Sequence, residues 1–83
     1  MNREQRQSKL ASLTHLKAKS EKAYYDMYDA HSFREASDCY RDAKYSFYDA
    51  IGLASELGLE DEKDALSQRL AHIKAVFHSQ FAA

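Results

Sequence analysis

The chain has 83 residues, of which 45% are apolar and 30% charged, with 12 Lys and Arg against 13 Asp and Glu. A chain of this size is expected to form one small domain, here residues 1–83. It contains no proline and only two glycines, so turn-rich β architectures and glycine-rich phosphate loops are disfavoured. The composition therefore predicts an all-α fold.

The first predicted helix covers about residues 4–30. Its apolar and small residues recur at spacings of three and four, which place them on one helix face. They are Leu13, Leu16, Ser20, Ala23, Met27 and Ala30, with Leu10 and Tyr24 beside them. The segment also carries most of the positive charge, because residues 1–22 hold six basic residues and two acidic ones.

The second predicted helix covers about residues 33–57 and has the most regular pattern in the chain. Bulky aromatic residues alternate with alanines in an unbroken heptad stripe: Phe33, Ala36, Tyr40, Ala43, Phe47, Ala50, Ala54 and Leu57. Ser32 and Glu35 fit a capping box, in which Glu35 reaches back to the amide of Ser32. Gly58 is suited to the left-handed conformation that ends a helix, and Leu59 would then fold back onto the last turn.

The third predicted helix covers about residues 61–80. Acidic residues 60–62 favour a helix start, because negative charge there complements the helix dipole. Leu66, Leu70, Ile73 and Phe77 form the apolar stripe, with Val76 and Phe81 beside it. Connections of about two to four residues force neighbouring helices to run antiparallel. The sequence thus predicts an antiparallel up-down-up bundle of three helices.

Catalytic and metal-binding patterns are missing from the sequence. The four histidines form neither Glu-x-x-His nor His-x-x-x-His, the spacings that bring metal ligands together on helices. Asp38, Asp42 and Asp49 share one side of the second helix, but that side is opposite the apolar stripe and faces water. We therefore expect no enzyme activity, no cofactor and no metal.

Six tyrosines are more informative, because four of them lie outside the predicted core stripes. These four are Tyr25, Tyr28, Tyr45 and Tyr48. Exposed tyrosines offer a large contact area at a low entropic cost and are enriched at interfaces. We interpret them as a surface for a protein or peptide partner, or for a second copy of the chain. Single exposed aromatic residues without a function are the alternative.

A nucleic-acid-associated regulator that uses residues 3–22 is the second hypothesis for function. We disfavour nucleic acid as a partner, because the basic residues of this segment scatter around the helix instead of forming a stripe. No segment is apolar enough to cross a membrane and no secretory signal precedes the first helix, so neither a membrane nor secretion is expected. We expect a cytoplasmic protein.

The second helix resembles that of MIT domains, the three-helix modules of microtubule-interacting and trafficking proteins. The resemblance rests on residues 33–36, which read Phe-Arg-Glu-Ala, followed by Tyr40, Ala43, Ala50 and Ile51. The first part of this pattern also fits the B helix of a tetratricopeptide repeat. The resemblance implies a non-enzymatic module that receives a helix or an extended peptide between two of its helices. Residues 73–76 depart from the MIT pattern, so the resemblance assigns no groove residues.

Overall fold

A computed structural model describes residues 1–81 and has three α-helices and no strand within them. The helices are α1 (Arg3–Tyr28), α2 (Phe33–Glu56) and α3 (Glu60–Gln80). α2 packs against both other helices, and short connections make consecutive helices antiparallel. The three-helix bundle predicted from the sequence is confirmed, with bounds within two residues of those expected.

The starts of α1 and α2 are set by side chains that satisfy free backbone amides. Asn2 and Gln5 form a capping box that the sequence analysis missed: Asn2 Oδ1 accepts from the Gln5 amide at 2.8 Å, and Gln5 Oε1 accepts from the Asn2 amide at 3.2 Å. Ser32 Oγ accepts from the Glu35 amide at 3.1 Å, as predicted. The second half of that capping box was wrong, because Glu35 accepts from the His31 amide one residue further upstream.

The connection between α2 and α3 is a tight turn at Gly58, which has a φ of 72°. The Leu59 amide donates to the Ala54 carbonyl at 2.9 Å, and the Gly58 amide donates to the Ser55 carbonyl at 3.1 Å. This pair of bonds is a Schellman motif, which requires a left-handed residue at the glycine position. Leu59 is half-buried against the core, as the sequence predicted.

The core runs along the middle of the bundle and is built from the predicted stripes of all three helices, in which Leu16, Ala23 and Ala30 are only half-buried and Phe33 is exposed. Its fully or almost fully buried members include Met27, Phe47, Ala50 and Ile73. Ser20 lies completely buried on α1, where its hydroxyl donates to the Leu16 carbonyl at 2.6 Å. Small residues on both facing surfaces let the α1 and α2 backbones approach closely.

Aromatic rings close the end of the bundle where α1 and α3 finish and α2 begins. Tyr40 and Phe77 stack with their centroids 4.1 Å apart, and Phe77 also stacks with Phe81 at 6.1 Å. Phe33 was predicted to be buried, but 58% of it is exposed. It is the first residue of α2, so only one side of its ring meets Phe77, at 6.1 Å.

Two further properties concern the described part of the chain. None of its helices combines the length and the apolar character that a membrane crossing requires. Within residues 1–81, no three His, Cys, Asp or Glu side chains come close enough together to hold a metal ion.

Candidate interaction surfaces

The four tyrosines singled out from the sequence lie on the surface in two groups. Tyr25 is 60% exposed and Tyr28 47%. The Tyr28 ring contacts the rings of Tyr24 in its own helix and of Phe81 just after the end of α3. Both contacts are edge to face, with ring centroids about 5.5 Å apart. Tyr25 packs against Tyr24 at 5.6 Å. We call Tyr24, Tyr25, Tyr28 and Phe81 the α1–α3 aromatic cluster.

Polar contacts hold the buried side of this cluster in place. The Tyr24 and Tyr28 hydroxyls are 3.1 Å apart and share a hydrogen bond. This bond, together with burial, raises the pKa of Tyr24 to about 12. The guanidinium of Arg69 lies 4.9 Å from the centroid of the Tyr24 ring and donates to both carboxylate oxygens of Glu21, at 2.8 and 2.9 Å. α1 and α3 are therefore tied together beside the tyrosines.

The second group is the α2 tyrosine pair, Tyr45 and Tyr48, which are 57% and 44% exposed. Their ring centroids lie 6.3 Å apart. Lys74 of α3 donates to the Tyr48 hydroxyl at 2.8 Å, and this hydrogen bond lowers the pKa of Tyr48. The ammonium of Lys44 lies 5.4 Å from the centroid of the Tyr45 ring. This pair is therefore set among cations, whereas Tyr25 and Tyr28 border other aromatic rings.

The sequence predicts the exposed tyrosines but not the residues that hold them. Tyr24 and Phe81 were assigned only to the margins of the core, and Arg69 was not singled out. The (i, i+4) spacing of Tyr24 and Tyr28 indicates that their rings meet. The contacts with Phe81 and Arg69 depend on how α1 and α3 are aligned along each other, which helical periodicity does not determine.

A groove lies at the opposite end of the bundle, between α1 and the turn that leads into α3. It has a volume of about 550 Å³. Its lining combines leucines with an acidic rim: Leu10, Leu13, Thr14, Lys17 and residues 58–62. Lys17 forms an ion pair with Glu62 across it. We call this feature the α1 groove; the sequence analysis did not predict it.

The basic residues at the start of the chain are largely engaged within the protein. Lys9 pairs with Glu56 and Lys17 with Glu62, and Lys22 pairs with Asp26 at 2.8 Å. Arg6 donates to the Leu57 carbonyl at 3.2 Å. Four of the six basic residues of this segment therefore have a polar partner within the described part of the chain.

Comparison with known proteins adds no family to this description. No family model matches the chain, and no curated protein or solved structure shows significant similarity to it.

Proposed function

We propose that this protein is a small non-enzymatic interaction module that binds a peptide or helix of a partner protein through the α1–α3 aromatic cluster. The observation that carries this proposal is that Tyr25 and Tyr28, both about half exposed, border two packed rings. A surface whose side chains are already held in place loses little conformational entropy on binding. Rigid aromatic anchors of this kind dominate the energetics of many interfaces.

The expected partner segment is short and carries at least one apolar side chain. Such a side chain would pack on the exposed faces of Tyr25 and Tyr28, while their hydroxyls offer hydrogen bonds to the partner backbone. This mode agrees with the peptide-receiving role that the MIT-like second helix implies. We place the module in the cytoplasm and assign it no cofactor.

The nucleic-acid alternative is less favoured. A protein that neutralises phosphates needs free cations along one surface, because each contact releases a counterion. Lys9, Lys17 and Lys22 each have a carboxylate partner inside the chain. If nucleic acid were nevertheless the partner, its affinity would fall steeply as the salt concentration rises.

The test compares two paired variants of the same chemical type. The parent, a Tyr25→Ser and Tyr28→Ser variant, and a Tyr45→Ser and Tyr48→Ser variant are each immobilised and exposed to nuclease-treated lysate of the native host. Bound proteins are then identified by mass spectrometry. We expect a partner that the parent and the Tyr45/Tyr48 variant retain and the Tyr25/Tyr28 variant loses.

Circular dichroism should show the same helicity for all three proteins, since the replaced side chains are all more than 40% exposed. Equal retention of every bound protein by the Tyr25/Tyr28 variant would contradict the proposed surface. Loss confined to the Tyr45/Tyr48 variant would move the site to the α2 tyrosine pair.

A further inference from the structure

The first part of α1 buries no side chain, although Arg6 donates to the Leu57 carbonyl and Lys9 pairs with Glu56 at the end of α2. From Arg3 to Ser12 every side chain is exposed except that of Lys9, and Leu13 is the first buried residue of the helix. Helices in water obtain most of their stability from packing one face against other parts of the protein. Leu10 lies in this exposed stretch and is 36% exposed beside the α1 groove.

The exposed stretch continues a surface of α1 that α3 covers further along. Residues at alternating spacings of four and three form this second face: Arg3, Gln7, Leu10, Thr14, Lys17, Glu21, Tyr24 and Tyr28. The later members contact α3, since Lys17 pairs with Glu62 and Glu21 with Arg69. α3 begins at Glu60, beside Thr14 and Lys17 in the groove lining. The earlier members extend beyond the start of α3 and remain uncovered.

We propose that a second copy of this chain covers the face, through an antiparallel two-fold contact between the first halves of the two α1 helices. The charges at this end of the bundle are complementary under such a rotation. Glu60, Asp61 and Glu62 form the acidic rim of the groove, beside Thr14 of α1. Arg3 lies on the same face of α1 as Thr14, about 16 Å before it along the helix at 1.5 Å per residue. When the two-fold axis passes between Gln7 and Leu10, the Arg3 of one copy lies opposite Thr14 of the other and therefore beside its acidic rim.

The symmetry makes each favourable contact occur twice, which is the property of an isologous interface. Near the two-fold axis, Leu10 of each copy lies beside Gln7 and Leu10 of the other, because a centre between residues 7 and 10 sets residue 10 opposite residue 7. The α1–α3 aromatic cluster lies at the other end of the bundle and stays accessible. This dimer surface is thus separate from the proposed partner-binding surface.

The first test is the oligomeric state by analytical ultracentrifugation up to about 1 mM, a range that reveals weak association. We expect the parent to form a reversible dimer. Leu10→Glu should raise the dimer dissociation constant by about tenfold or more, because it places two like charges beside each other near the two-fold axis. Gln68→Glu is the matched control, since it adds the same charge at an exposed position of α3 and should leave the dimer unchanged.

Charge exchange provides the second test. Arg3→Glu alone and Asp61→Arg alone should each weaken the dimer, whereas the two changes in one chain should restore it toward the parent affinity. A helix start that is merely destabilised would not be rescued in this way. The Tyr25→Ser and Tyr28→Ser variant should dimerise like the parent, so failure of the partner-binding proposal and failure of the dimer proposal remain distinguishable.

A parent protein that stays monomeric over this whole range would overturn the dimer proposal. A dimer that Leu10→Glu leaves intact would also overturn it.

Discussion

The two ends of the bundle are built on different principles. At the end where α3 finishes, Phe77 stacks on Tyr40 and on Phe81, and Phe81 meets Tyr28 of α1, so aromatic rings join all three helices. At the other end α1 extends beyond α3, and buried leucines are accompanied by ion pairs around the α1 groove instead of stacked rings. We call these the closed end and the open end. We therefore expect the closed end to contribute more of the stability, and the open end to provide the surface that we propose for association.

The largest expected effect comes from removing a ring at the closed end. Phe77→Ala should lower the free energy of unfolding by about 3–5 kcal/mol, because its ring is buried and contacts several others. Leu10→Ala at the open end should cost less than about 1 kcal/mol, since it is already 36% exposed. Urea unfolding followed by circular dichroism at low protein concentration measures both. Similar losses at the two ends would refute the contrast.

The next largest effect on stability is a difference between the two glycines. Alanine replaces a left-handed residue at Gly58 and an ordinary helical residue at Gly52. Gly58→Ala should destabilise by about 1–2 kcal/mol, because alanine is strained at a φ of 72°. Gly52→Ala should stabilise by about 0.5–1 kcal/mol, since a Cβ there meets no atom within 4 Å and alanine is a better helix former. Thermal unfolding of both variants provides the comparison. A stabilising Gly58→Ala would show that the turn at the open end is not fixed by its Schellman motif.

Much of the fold follows from the sequence, and the failures have physical causes. The α2 stripe is correct because its alternation of large and small residues suits close helix packing. Phe33 fits the same spacing but lies at the first position of α2, where no further turn of a neighbouring helix covers its outer side. The separation of the tyrosines into two groups was not predictable, because helical periodicity gives the face on which a side chain lies but not the alignment of neighbouring helices.

A smaller effect concerns the ion pairs that bridge α1 and α3. Arg69→Gln should cost about 1 kcal/mol, because it removes a bidentate contact with Glu21 and a cation over the Tyr24 ring, both at sites partly screened by solvent. Lys17→Gln, at the open end, should cost at most about 0.5 kcal/mol, since its partner Glu62 is joined by a single exposed ion pair. Chemical denaturation of the two variants tests this order. A larger loss for Lys17→Gln would reverse the assignment of stability to the two ends.

The smallest effect is a difference in tyrosine ionisation. Tyr48 should lose its proton at a lower pH than Tyr24, since Lys74 lowers the pKa of Tyr48 while the pKa of Tyr24 is about 12. Lys74→Gln should raise the pKa of Tyr48 and leave that of Tyr24 unchanged, because only Tyr48 accepts from Lys74. Carbon-13 NMR titration of the tyrosine rings measures each group separately. An unchanged Tyr48 pKa in the variant would exclude the hydrogen bond in solution.

Amide hydrogen exchange at two protein concentrations tests the contrast between the ends most directly. Amides near Met27 and Ile73, both fully buried in the core, should exchange slowly at either concentration. We predict that residues 6–12 of α1 exchange rapidly in dilute protein and several-fold more slowly in concentrated protein, as the second copy covers them. Equal exchange of residues 6–12 at the two concentrations would contradict an open end that serves association.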